Sequence, residues 1–200
     1  MKPTKICLLA LPVLLVLSGC LSSEEVFYEE RDIVMDNRLV GSYGYGTNRP
    51  SCYIERSLDY EGRYFVTYVS ENPQRPCSIR FRSVLFQIGT NRFLDMLPLV
   101  DACDHVGGGP PSPIELLQEA TVQPRHMAVI VNVSTNGIKF GFANHDTLMA
   151  ASEKSPKYFQ VKPQQLPRMI PDTKRQREFL LRFGGDTNIF RPYELKKVTE

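Results

Sequence analysis

The densest run of chemically able side chains is "DACDH" at residues 101–105, where Cys103 and His105 stand two apart between Asp101 and Asp104. Thiolate, imidazole and carboxylate are all zinc ligands, but a tetrahedral site needs further donors at recognisable spacing. No C-x-x-C and no H-x-x-x-H occurs, so no metal site is assigned. Nucleophilic chemistry fares no better. G-x-S-x-G, S-x-x-K and H-E-x-x-H are all missing, and no catalytic residue is assigned. His126 opens an apolar run and His145 sits at a helix start, and both read as structural or capping groups. Asp95, in "FLDML", is an acid among apolar residues, so its carboxylate must reach solvent or a hydrogen-bond partner. Glu55, Asp59 and Glu61 gather round a turn and read as solvated surface. "GGGPPSP" (107–113) lacks the Lys and helix start of a phosphate loop and reads as mobile, with Gly107 to Pro111 as the lip of any site. No cofactor is expected.

Strands must position these groups. "CYIERSL" (52–58) and "RYFVTYV" (63–69) are rich in aromatic and β-branched residues, and "DYEG" between them is a turn, which predicts a hairpin. In "SIRFRSVLFQI" (78–88) the apolar face changes parity near Ser83, which predicts either a bulge or burial on both faces. "GTN" is read as the next turn and "RFLDMLPLV" as the returning strand. "HMAVIVNV" and "IKFGFA" flank "STNG", a second hairpin signal. "LVGSY" is a further strand candidate near the start of the domain. "IELLQEA" and "NHDTLMAASEK" read as short helices. "PDTKRQREFLLRFGG" is the clearest helix, capped by Asp172 or Thr173, striped by Phe179, Leu180 and Phe183, and ended by Gly184-Gly185.

With "GTN" as the turn, Ile88 faces Arg92 and Phe86 faces Leu94. Extending that register sets Cys77 opposite Cys103. Adjacent strands lie about 4.7–4.9 Å apart, inside the Cα separation of a disulfide. The expected bridge is Cys77–Cys103, with Cys52–Cys77 as the rival pairing.

The chain opens "MKPTKICLLALPVLLVLSGC". Lys2 and Lys5 precede an apolar run too short to span a bilayer, which needs about 20 residues. Leu17-Ser18-Gly19-Cys20 resembles the lipobox of bacterial lipoproteins. The resemblance implies cleavage before Cys20, acylation of its thiol, and a membrane partner held through those acyl chains, palmitate among them. Leu21, in place of Asp, implies sorting to the outer membrane, with the domain at its periplasmic face. "LVGSY", "FRSVLFQIGTNRFLDMLP" with its FLDxxP pattern, and "REFLL" followed by "PYELKK" resemble a group of uncharacterised bacterial lipoproteins, a likeness that carries no site residue. An opening strand of the form G-x-aromatic is similar to lipocalins, with Tyr43 where those have Trp; this chain has no Trp at all.

The full chain carries 24 Lys and Arg against 22 Asp and Glu. The leader takes Lys2 and Lys5 with it, so the remainder is formally neutral. A neutral chain with no basic stripe is poor material for nucleic-acid binding, which rests on neutralising phosphates. The expectation is a signal peptide over residues 1–19, a lipidated N-terminus and tether over 20–37, and one globular domain over 38–200. Its fold class is α+β and β-rich: a curved antiparallel meander or small barrel with a C-terminal helix packed on it. Its function is expected to be non-catalytic, as a binding or envelope-associated module with a protein partner. The alternative is a lipocalin-like carrier of a small apolar ligand, and a hydrolase comes third.

Overall fold

Alternating apolar residues make strands here, and eight of those strands close on themselves. The computed structural model describes residues 21–45, 50–59, 62–69, 78–99, 125–143, 145–160 and 168–198. The early strands are Leu21–Ser23 (β1), Gly41–Gly44 (β2), Cys52–Arg56 (β3) and Arg63–Val69 (β4). Ser78–Ile88 (β5) and Asn91–Leu99 (β6) form the central hairpin, and His126–Val133 (β7) and Gly137–Ala143 (β8) form the next. Two-residue strands Phe159–Gln160 (β9) and Arg168–Met169 (β10) pair with each other, and Phe190–Lys197 (β11) comes last. Helices His145–Lys154 (α1) and Thr173–Phe183 (α2) lie between β8 and β11.

Strands β2 to β8 pair in sequence order, and β11 closes the circuit by pairing with both β8 and β2. Every pairing is antiparallel. The result is an eight-stranded up-and-down barrel, the closed form of the expected meander. Closure removes the edges that an open sheet would expose. Its inside is packed by Tyr43, Ile54, Tyr64, Val66, Phe81, Leu85, Leu94, Met96, Val131 and Phe140, all wholly or almost wholly buried.

A second apolar layer lies outside the wall, and it explains the parity change at Ser83. The β5–β6 pairs run unbroken from Arg80–Leu99 to Ile88–Asn91, so there is no bulge. From Ser83 to Phe86 every residue of β5 is buried, because the strand faces the barrel interior on one side and α2 with the N-terminal segment on the other. Tyr28, Phe86, Phe93 and Phe190 stand ring to ring across this outer layer at 5.4 to 6.1 Å. Helix α2 starts where the Asp172 carboxylate accepts from the Arg175 N–H, and it buries Gln176, Phe179 and Leu180. Burying one such large apolar side chain stabilises by about 1.5–3 kcal/mol.

Two sequence expectations are corrected here. The turn after β5 is Gly89-Thr90, two residues long, with Gly89 at φ +60, where glycine carries no steric cost. Ile88 therefore faces Asn91, and Phe86 faces Phe93, one residue off the expected register. The register argument for Cys77 opposite Cys103 does not hold, and both cysteines lie outside the described residues. Cys52 is buried and free, so the rival Cys52–Cys77 bridge is not formed.

Residues 21–37 are the second correction. In sequence they read as a tether, but they are built into the domain. Strand β1 pairs with β7, Leu21 and Phe27 are wholly buried, and Ile33 bridges to Phe86. Helix α2 grips this segment. Gln176 donates to Ser23 Oγ at 2.7 Å, Thr173 Oγ1 donates to Val26 O at 3.2 Å, and Arg177 reaches Glu29 at 2.7 Å and Asp32 at 2.8 Å. Buried apolar area and partnered charges leave this stretch little reason to detach.

Candidate functional site

The two ends of the barrel differ, and the difference locates the site. One end is shut by a single turn of 3₁₀ helix, Asn37–Leu39, that drops wholly buried Leu39 into the interior cluster. Two interior tyrosines hold it there. Tyr43 donates to the Leu39 carbonyl at 2.8 Å, and the Tyr64 hydroxyl accepts from the Asp36 N–H at 2.9 Å. Asp36 Oδ2 takes Arg38 and Arg92, each at 2.6 Å. The hydrogen bond from Arg38 chiefly holds the Asp36 carboxyl down at about 2, with Arg92 adding to it and burial working against it.

At the other end β2, β4, β6 and β8 finish and β3, β5, β7 and β11 begin. There five of the inward side chains are half-buried, Tyr68, Ile79, Met127, Phe142 and Tyr193, although Cys52 beside them is wholly buried. Their rings run as a chain over the packed floor. Phe81 meets Tyr68 at 6.2 Å, Tyr68 meets Phe140 at 6.3 Å, Phe140 meets Phe142 at 6.1 Å, and Phe142 meets Tyr193 at 6.0 Å. These are tilted and edge-on contacts of the kind aromatic quadrupoles favour.

Polar groups in this half are few. The Cys52 thiol is pushed up to about 12 by burial, against a hydrogen bond from Tyr68, so it stays protonated and inert as a nucleophile. Ser83 Oγ is fully buried without a hydrogen-bond partner among the described residues. An eight-stranded barrel has room to be filled by side chains or to hold one small ligand. Here the large residues fill the shut end, and half-buried rings, the aromatic cup, line the other.

Among the described residues, the one constellation with the look of acid–base chemistry lies outside the barrel, in the second apolar layer. Asp95 and His126 sit on adjacent strands, where Asp95 faces Ala128 and His126 is the diagonal neighbour. Asp95 Oδ2 and His126 Nδ1 are 2.8 Å apart, with the carboxylate almost fully buried and the imidazole about one-fifth exposed. Burial raises the Asp95 carboxyl above its ordinary range, and the His126 hydrogen bond opposes that rise. With Asp95 ionised, the pair fixes the histidine tautomer that carries its proton on Nδ1 and ties β6 to β7 beneath β1. Asp95 Oδ2 thus finds the partner its apolar context requires, while its buried Oδ1 has none among the described residues.

His145 is the first residue of α1, as expected. Glu55 is exposed and faces Arg80 at 3.6 Å, and Asp59 is exposed. Cys20, Glu61, the "DACDH" cluster and Gly107 to Pro111 lie outside the described residues. Among the described residues, no group of three or more His, Cys, Asp or Glu side chains is placed to hold a metal ion. No helix there is long and apolar enough to cross a membrane.

The described residues thus form a closed, eight-stranded up-and-down β-barrel. Compared with known proteins, the chain matches no family model, no curated protein and no solved structure.

Proposed function

We propose that this protein is a lipid-anchored bacterial binding module that takes a small apolar ligand in the aromatic cup of its barrel. The observation that carries the reading is the gradient along the interior, from wholly buried Leu39, Tyr43 and Tyr64 at one end to half-buried Tyr68, Phe142 and Tyr193 at the other. The packed floor limits the ligand to a small or flat molecule and excludes a long chain threaded through the barrel. Cys20 carries the acyl anchor, supported by the LSGC pattern, and Leu21 after it directs the chain to the periplasmic face of the outer membrane. With Cys52 free and Cys20 acylated, Cys77 and Cys103 are the pair left for an oxidising compartment to bridge.

The test is native mass spectrometry of the exported chain carrying Cys20→Ser, purified without detergent. The expected result is a monomer with a reproducible small adduct, lost in Phe142→Ala while the fold is retained by circular dichroism. A bare monomer that also takes up no hydrophobic dye would overturn the carrier reading.

A further inference from the structure

The shut end of the barrel carries most of the molecule's exposed apolar side chains. Five large ones stand exposed among the described residues, and three of them gather at this end. Leu58, on the turn between β3 and β4, is 99% exposed. Met35, 48% exposed, directly precedes the plug and follows Val34, whose N–H donates to the Leu85 carbonyl near the end of β5 at 3.0 Å. Leu181, 62% exposed, reaches from α2 to the turn between β5 and β6, where its Cδ1 lies 3.1 Å from the place of a Cβ on Gly89. Tyr45 and Val69, at the cup end, are the other two. A leucine that buries nothing adds nothing to the core, and grouped exposed apolar residues mark a surface that meets something.

Guanidiniums stand among these side chains. Arg38 and Arg92 share the single carboxylate of Asp36. Arg56, the exposed last residue of β3, makes no ion pair among the described residues. Arg56 and Arg92 both bear on the Tyr64 hydroxyl that holds the plug. Asp59, exposed beside Leu58, opposes them. The surplus of positive charge around the plug suits anionic headgroups, which attract Arg side chains near a membrane surface. The direction of β1 agrees. It runs antiparallel to β7, from Leu21 opposite Ala128 to Ser23 opposite His126, and β7 starts at the cup end. The amino end of β1 therefore points toward the shut end, with Leu21 wholly buried in place.

We infer that the shut end is seated on the anionic bilayer that holds Cys20, with Met35, Leu58 and Leu181 at the headgroup boundary. The cup then faces away from the membrane and takes its ligand from the aqueous phase. This rests on the acylation of Cys20 proposed above. The chain has no tryptophan, so one introduced indole reports its own surroundings. The experiment uses the acylated full chain carrying Leu58→Trp, Leu181→Trp, Tyr45→Trp or Val69→Trp. Each is reconstituted in phosphatidylcholine–phosphatidylglycerol vesicles with and without brominated acyl chains. Emission from Leu58→Trp and Leu181→Trp should fall about twofold on bromination, as for side chains seated ~5–10 Å into the headgroup boundary. Tyr45→Trp and Val69→Trp should be unaffected. Quenching of those two instead, or of none of the four, overturns the orientation. Arg56→Gln added to Leu58→Trp should weaken the quenching, and no effect from it would overturn the preference for anionic headgroups. Intact mass and vesicle flotation separate anchor from seating. An acylated, floating chain quenched at neither shut-end position leaves the anchor standing and removes the seating. A chain without acyl mass that still floats and is quenched there removes the anchor alone, and one that does not float removes both.

Discussion

Asp36 is where single-residue electrostatics bear most directly on the fold. Its carboxylate is 8% exposed and binds two arginines, one on its own turn and one on β6, so the charge fastens the plug to the barrel wall. Its folded pKa of about 2 lies below the ordinary carboxylate value, so its contribution is full above that ordinary value and fades as pH falls toward 2. Asp36→Asn should cost about 1–2 kcal/mol at neutral pH, less than the shift alone implies because Arg38 is largely exposed. The deficit should vanish near pH 2, as read from urea melts across pH. Little of this was legible beforehand. Asp36 and Arg92 are 56 residues apart, and the pairing exists only because β6 turns Arg92 inward at the shut end. The Asp95–His126 pair was hidden similarly. Its need for a partner could be read from "FLDML", but a long connection separates the two residues, so spacing carries no signal.

At the scale of elements, local patterns served well where one face of a strand was wet and less well where neither was. The β3–β4 and β7–β8 hairpins and both described helices stand where their alternation, caps and turn residues put them. β5 read ambiguously because α2 covers its outer face, and a covering helix 90 residues downstream leaves no mark on the strand's own period. β11 was missed altogether. Its Pro192 argues against a central strand, yet residues 190–195 pair only with β8 among the described residues, which leaves the proline a side without a ladder. Close packing between elements also gives a test. A Cβ at Gly141 on β8 would run into Ile130 Cγ2 on β7, with Phe190 Cβ close behind. Gly141→Ala should destabilise by about 1–3 kcal/mol, as overpacking does. The double variant with Ile130→Ala should recover part of that loss by relieving the clash, measured as a non-additive shift in the urea midpoint.

At the scale of the molecule, the expected α+β class with a small barrel and a C-terminal helix is what the chain forms, but closure itself could not be read from local signals. It rests on two pairs, Lys196 with Gly44 and Lys197 with Tyr43. The rest of β11's grip comes from β8 and from Phe190 and Leu195, one in each apolar layer. A chain ending at residue 188 should therefore bare the facing edges of β2 and β8 and lose its single cooperative unfolding transition. Retention of a sharp urea transition in that variant would show that the two-layered β5–β6–β7 wall is stable alone.

The same seam sets a clock on biogenesis. A chain made amino end first presents β2 long before β11, and the contacts that complete the ring join residues about 150 positions apart. Such distant pairings form slowly, because loop closure must precede any return from contact. Throughout that interval β2 has a bare edge, and an unpaired edge is a template for any neighbouring strand. The opened ring, not the finished one, is the form in which a chaperone would find something to hold.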